Sequence, residues 1–270
     1  MAHMSRAPRQ HRARKRFGQN FLHDEAIIEQ IKRAIHPLDG QRLVEIGPGM
    51  GALTGVLLEC DCALDVIELD RDLIPGLLAA FSLKPGFQLH NADALDFDFH
   101  SLLQADDREQ LRVVGNLPYN ISTPLIFKLL EDCAIIKDMH FMLQREVVER
   151  LAATPGNKQW GRLGIMAQYL CNVEHVFDVP PDAFRPAPKV QSAIVRMTPR
   201  EISPWPDCDT AALGKLAKAA FAQRRKTLRN NLKGIIDSTD LERLGIDPGA
   251  RAETLDLEQL ISITNAIDVR

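Results

Sequence analysis

"RLVEIGPGMGALT", Arg42 to Thr54, opens as a buried strand and closes as a helix, with Gly47, Gly49 and Gly51 between the two. Glycines at such a junction let the backbone turn tightly and let a ligand approach the peptide plane. Alone the pattern is weak. A mere tight turn would produce it, and Gly47-Pro-Gly49-Met-Gly51-Ala52 also fits a loose dinucleotide fingerprint. Its surroundings carry more weight. Short apolar runs recur at 63–70, 87–93, 111–116, 139–144, 174–179 and 192–197, and helical patterns such as "TPLIFKLLED" and "REVVERLAA" lie between most of them. Strand–helix alternation predicts an α/β, Rossmann-like fold with seven strands in a mostly parallel sheet. In such sheets ligands bind just beyond the carboxyl ends of the strands, so the residues after each run are the ones to inspect.

Upstream of the glycine loop, Ile27, Ile31 and Ile35 fall four apart, Asp24 and Glu25 suit the positive end of a helix dipole, and Pro37 stops the pattern. The spacing predicts a helix over 24–36. Beyond Met197 the character changes. "TPREISPWPDCD" reads as a linker, and the later apolar residues keep a helical period: Leu213, Leu216, Ala217, Ala220 and Phe221; Leu228, Leu232, Ile235 and Ile236; Leu257, Leu260, Ile261, Thr264 and Ile267. The division expected is a basic tail over 1–15, a Rossmann-like domain over 16–199 and a small all-helical domain over 200–270. "MAHM" at 1–4 reads as an expression remnant.

The 270 residues are 45% hydrophobic and 26% charged, with a formal net charge of −3, which by itself points to no polyanion. The distribution does. Arg6, Arg9, Arg12, Arg14, Lys15 and Arg16 form one run without an acid; Arg224, Arg225, Lys226, Arg229 and Lys233 form another. Solvated helix faces would explain either run taken singly. Five scattered cysteines read as reduced thiols of a cytoplasmic protein, and no metal site is expected, since Cys60 and Cys62 lack a second ligand pair. No apolar run reaches membrane-span length and no signal peptide is evident, so no membrane partner is expected.

At the strand ends, Glu68 lies 21 residues past Gly47, the distance at which a carboxylate reaches ribose hydroxyls. Asp70 and Asp72 compete with it, and Glu68 is preferred because it still lies within the strand pattern. Asp93, closing the third run, can accept from an adenine amine or simply cap a helix. Acids after two strands, with no lysine or arginine in the glycine loop, suit an adenosine without phosphates: S-adenosylmethionine rather than NAD.

The fourth run, "RVVGNLPYNIS" at 112–122, breaks into Asn116-Leu117-Pro118-Tyr119. An adenine amine is a poor nucleophile because its lone pair is delocalised into the ring. Two acceptors aimed at its hydrogens would fix it and favour a pyramidal nitrogen. Asn116 offers a side-chain carbonyl. Pro118 keeps Leu117 extended, which leaves the Leu117 and Pro118 carbonyls to face a pocket. Tyr119 offers a ring for an unstacked base, worth ~1–3 kcal/mol. No general base is needed, because the methylated amine loses its proton to water. A strand-ending turn with a packed tyrosine would explain Pro118 but not the amide.

"RKRFGQNFL", "EIGPGMGALT", "VIELDRD", "NADAL", "GNLPYNISTPL" and "FRPAPKVQSAIVR" resemble the ribosomal RNA adenine dimethyltransferases, and within them the bacterial branch acting on two adjacent adenosines near the 3′ end of small-subunit RNA. The resemblance covers about 14–266. It implies that Asn20, Leu22, Gly47, Glu68, Asp93 and Asn116 contact S-adenosylmethionine. It also implies that Asn116 and Pro118 hold the amine, with Tyr119 and Phe184 enclosing the base. Core packing beneath a proline-rich loop would equally explain Phe184. The family implies Arg224, Arg225, Lys226 and Arg229 on RNA phosphates, an assembling 30S subunit as partner, and a monomeric enzyme. Unaided, "GQNFLHD" reads as the approach to the first helix. Two rivals stay open on the residues alone: a DNA adenine methyltransferase, and an assembly factor acting mainly by RNA binding.

Overall fold

The computed structural model describes residues 19–103 and 110–268. The basic run from Arg6 to Arg16, the tail over 1–15 and the domain boundary at 16 lie outside the described residues. In chain order the elements are β1 (Phe21–Leu22), α1 (Glu25–Ile35), β2 (Arg42–Ile46), α2 (Ala52–Leu57), β3 (Ala63–Ile67), α3 (Ile74–Phe81), β4 (Phe87–His90), β5 (Leu111–Asn116), α4 (Ser122–Glu131), β6 (Ile136–Gln144), α5 (Arg145–Leu151), α6 (Arg162–Leu170), β7 (Cys171–Val179), β8 (Phe184–Arg185), β9 (Ser192–Pro199), α7 (Thr210–Ala220), α8 (Leu228–Asn231), α9 (Ser238–Arg243) and α10 (Leu257–Asp268). The fold is Rossmann-like, with a mostly parallel sheet of seven strands. The chain divides into two compact units: one made of the chain up to Ser122 together with Val179–Gln191, the other of Thr123–Asp178 and the chain from Ser192 onward.

In the first unit the strands lie in the order β4-β3-β2-β5, and all three pairings are parallel. Leu43, Val44, Leu64, Val66, Val113 and Val114 are fully buried. Burial of consecutive residues is what a parallel sheet covered on both faces requires. Helix α1 begins where the caps predict: Asp24 Oδ1 accepts from the amides of Ala26 and Ile27 at 2.9 and 3.1 Å. It buries Ile28, Ile31 and Ile35. At its other end Arg112 donates to the carbonyls of Ile35 and His36 and to Gln41 Oε1, placing a cation where the helix leaves its carbonyls unpaired.

Two strand boundaries differ from the sequence reading in a way that matters below. The run at 63–70 is a strand only to Ile67, and the run at 87–93 only to His90. Glu68 therefore lies one residue past its strand rather than inside it, although its amide still donates to the His90 carbonyl at 3.0 Å. "GQNFLHD" is also not merely the approach to α1. Phe21 and Leu22 form β1, which pairs antiparallel with β8, Leu22 opposite Phe184 and Phe21 opposite Arg185. Two residues are too few to show a period of two, so periodicity gave no sign of this ribbon.

In the second unit β6 and β9 pair antiparallel from Met139↔Met197 to Gln144↔Ser192. Helices α5 and α6 approach at backbone distance: a Cβ on Gly164 would lie 2.6 Å from the Arg150 carbonyl oxygen. Helix α7 buries Leu213, Leu216, Ala217 and Ala220, and α10 buries Leu257, Leu260, Ile261 and Thr264, as their spacing predicts; Ile267 is half-buried. Between them the expected helical stretch is mostly turn. Within 228–236 the helix covers Leu228–Asn231, and Ile235 is exposed while Leu228, Leu232 and Ile236 are buried. Among the described residues no helix is long and apolar enough to cross a membrane.

Candidate functional site

Every residue expected at the donor and amine sites belongs to the first unit, and most sit beyond the carboxyl ends of its strands. After β2 the chain turns through Gly47 and Gly49, at φ +69° and +60°, a region side chains disfavour. The Gly47 amide donates to the Ile67 carbonyl at 2.9 Å, fastening the loop to the end of β3. A Cβ on Gly47 would sit 3.7 Å from the Asn116 carbonyl oxygen and 3.9 Å from Pro118 Cδ. The glycine loop and the Asn-Leu-Pro-Tyr turn are thus immediate neighbours, as β2 and β5 are.

Glu68 is buried beside this loop. Its Oε1 accepts from the Asp70 amide at 2.7 Å and its Oε2 from the Gly49 amide at 3.4 Å. Burial holds its carboxyl above the usual carboxylate range, against the pull of the backbone N–H groups of Asp70, Gly49 and Leu69 and with the charge of Asp70 adding to the rise. Asn91 Nδ2 donates to the Glu68 carbonyl at 2.7 Å, pinning the chain at this point. Beneath the loop, Glu45 on β2 accepts from Thr54 Oγ1 of α2 at 2.6 Å. Its carboxyl is pushed up to about 7, first by burial, with Thr54 opposing and Glu68 adding. A loop with Glu68 at its edge and no cationic side chain, whose glycines leave no side chain over the peptide planes, fits an adenosine without phosphates better than a phosphate ester.

Asp93 is half-buried, three residues past β4, and its Oδ1 accepts from the Leu95 amide at 2.9 Å. It caps a turn, as one of its two readings allowed. Asn116 is half-buried at the end of β5. Its Nδ2 donates to the Asn20 carbonyl at 3.1 Å, which turns Oδ1 the other way. Tyr119 is half-buried as well, and Ser122 Oγ donates to its carbonyl at 3.2 Å. Neither Asn116 nor Tyr119 is sealed in the core.

Pro118 corrects the sequence reading. Its carbonyl, expected to face a pocket, accepts from the amides of Ile121 and Ser122, both at 3.1 Å, because it closes the turn that leads into α4. Leu117 is left as the backbone carbonyl of this stretch that the turn does not use. Phe184 is 2% exposed opposite Leu22, a ring packed beneath its loop in the described conformation. Asn20 is half-buried and Leu22 buried, both on the segment leading through β1. Sequence reasoning missed Gln19, whose Nε2 donates to Asp70 Oδ2 at 2.8 Å. Asp70, which competes with Glu68 in the sequence, is only 2% exposed.

In the second unit, Arg224, Arg225, Lys226 and Arg229 are all exposed, in the turn between α7 and α8 and in α8 itself. Arg224 differs from the others: its guanidinium donates to the Trp160 carbonyl at 2.8 Å and lies 4.0 Å from Glu253. No group of three or more His, Cys, Asp or Glu side chains able to hold a metal occurs among the described residues.

A family model described as ribosomal RNA adenine dimethylase matches residues 10–268. A protein of Pseudomonas aeruginosa named ribosomal RNA small subunit methyltransferase A is 60% identical over 258 residues, 96% of each chain. One of the same name from Chromohalobacter salexigens is 57% identical over 266 residues, covering 98% of this chain and 94% of that one. Among solved structures, a dimethyladenosine transferase from Plasmodium falciparum superposes with a TM-score of 0.77 at 24% identity, covering 92% of this chain and 97% of that one. The 23S rRNA methyltransferase ErmE gives 0.70 at 24% identity, covering 92% and 100%. These two likenesses speak to the fold.

Proposed function

Because this chain belongs to the ribosomal RNA adenine dimethylase family, we propose residue by residue how its first unit carries out that family's reaction. The chain is an enzyme that dimethylates adenine in ribosomal RNA, with S-adenosylmethionine as methyl donor. When bound, the donor supplies an electrophilic methyl group on a positively charged sulfur. The donor-binding residues are Asn20, Leu22, Gly47, Glu68, Asp93 and Asn116. Glu68 accepts from the ribose hydroxyls and Asp93 from the adenine amine. The glycine loop lets the donor lie close to the backbone.

The target amine is held by Asn116 Oδ1 and, in place of Pro118, by the Leu117 carbonyl. Each accepts one hydrogen, which localises the lone pair on the nitrogen that attacks. Pro118 serves by shaping the turn. Tyr119 stacks on the flipped base, worth ~1–3 kcal/mol, and Phe184 joins it only if its loop moves to uncover the ring. The single observation that carries this reading is the Asn116 Nδ2 bond to Asn20: with its donor end taken, the carboxamide presents an acceptor.

The finer substrate reading is two adjacent adenosines near the 3′ end of small-subunit RNA within an assembling 30S particle. We further propose that residues 200–270 contact RNA phosphates through Arg225, Lys226 and Arg229, with Arg224 contributing less, and that the enzyme acts as a cytoplasmic monomer. The DNA reading is not favoured, since the matched family and both relatives are named for ribosomal RNA. The test is mass spectrometry of nucleosides after incubating the enzyme with the donor and unmethylated small subunits or naked DNA. N6,N6-dimethyladenosine confined to the subunit RNA is expected. Methylation of DNA alone would overturn the substrate assignment.

A further inference from the structure

We propose that Gln19 is a positioning residue for methyl transfer: its side chain anchors the segment whose next carbonyl decides which end of the Asn116 carboxamide faces the substrate. The proposal rests on the amine-holding role of Asn116 given above.

A carboxamide has two ends of nearly equal size, so rotating it by half a turn changes its chemistry and hardly its shape. With the oxygen outward, Asn116 accepts from a target amine. With the NH₂ outward, it opposes that amine donor to donor. Sterics do not choose between the two; the choice falls to whatever accepts from Nδ2. That acceptor is the Asn20 carbonyl, 3.1 Å away. A peptide carbonyl exerts this control only if its own segment is held.

The hold on one side of Asn20 is the β1–β8 ribbon, extended by the His23 amide donating to the Ala183 carbonyl at 3.0 Å. On the other side it is Gln19 Nε2 donating to Asp70 Oδ2 at 2.8 Å. Asp70 is a firm anchor: it is 2% exposed, its Oδ1 accepts from the Asp72 amide at 3.2 Å, and its own amide donates to Glu68 at 2.7 Å. Thus the turn after β3, where the donor's ribose acid stands, is linked through Gln19 and Asn20 to the end of β5, where the amine is held. A role limited to tacking down the chain would leave the Asn116 carboxamide indifferent to Gln19.

The experiment exploits the polarity of the Gln19–Asp70 bond. Gln19→Ala removes it and Gln19→Glu sets two carboxylates face to face. In Asp70→Asn the single amide oxygen cannot serve both the Asp72 amide and Gln19. In the Gln19→Glu/Asp70→Asn double variant the new amide donates to the new carboxylate while its oxygen still serves Asp72, so the link is remade in reverse. The readouts are single-turnover methylation of small subunits, subunit and donor affinity, melting temperature, and the side-chain ¹⁵N–H₂ signal of Asn116, assigned by its loss in Asn116→Asp. We expect Gln19→Ala and Gln19→Glu to slow single-turnover transfer about tenfold with affinities within about twofold, and to move the Asn116 signal toward that of a solvated amide. The double variant should restore both. An unmoved Asn116 signal in Gln19→Ala, an unchanged transfer rate, or a double variant no better than Gln19→Glu would each overturn the proposal. Failure of the underlying reading looks different: Asn116→Ala would then keep normal turnover.

Discussion

Asn116 gives its NH₂ to the Asn20 carbonyl, and under the proposed function its oxygen serves the target amine. Asn116→Ala removes an acceptor that matters most as the attacking nitrogen pyramidalises. Transfer should fall by about 10²–10³, the scale seen when one preorganised polar contact to a transition state is lost. Subunit affinity, measured by filter binding, should stay within about twofold, because the phosphate contacts proposed for Arg225, Lys226 and Arg229 are untouched. Glu45 supports a prediction about stability. Its carboxyl is raised from 4.5 to about 7 in the folded protein, chiefly by burial. Between those values the folded chain holds a proton that the unfolded chain has released, so stability falls as pH rises through the window, by about 3 kcal/mol in all. Glu45→Gln still accepts from Thr54 and carries no charge. Its melting temperature should therefore gain on the parent's as pH is raised from about 5 to about 7.5; parallel curves would show that Glu45 does not titrate there. At this scale the sequence was partly legible. Asn116, Glu68 and the glycines stand out by their position at strand ends, whereas the Gln19–Asp70 link is a hydrogen bond between segments far apart in the chain, which no local pattern encodes.

Strand β5 runs so close to β2 that a Cβ on Gly115 would lie 2.5 Å from the Ile46 carbonyl oxygen and 3.1 Å from Leu117 Cδ2. The contact is with backbone, which cannot swing aside, so β5 would have to shift and carry Asn116 with it. Gly115→Ala should cost about 1–3 kcal/mol, read as a lower denaturation midpoint, and should lower turnover further than stability alone explains. An active variant of normal stability would show that the strands separate at no cost. The elements were the most legible part of the sequence. Apolar runs of five or six and fourfold isoleucine spacing each bury a face, and that is what periodicity records. Legibility ended where burial did. The turn carrying Arg224–Lys226 and the short α8 have too few buried residues to reveal their shape, and β1 and β8 are too short to alternate.

For the molecule as a whole, net charge conceals the partner. The formal value is −3, yet Arg225, Lys226 and Arg229 stand exposed in one stretch. Neutralising these three should lower the magnitude of the log K against log salt slope for RNA by about 2, since each phosphate contact to a single strand contributes about 0.7. Adding Arg224, already bonded to Trp160, should change the slope less than any of the other three. A slope unaltered by the triple change would remove the stretch from the RNA interface.

The ribbon of β1 and β8 has a consequence in time. Leu22 and Phe184 are partners, yet about 160 residues of chain separate them. At synthesis rates of about 5–20 residues per second, β1 waits roughly 10–30 s for the strand that completes it. Until then the far side of Asn20 leans on Phe21, which packs with Leu73 and Leu77, and the backbone pairing beside it is still unmade. The ribbon is complete when the returning segment at Phe184–Arg185 pairs with Phe21–Leu22.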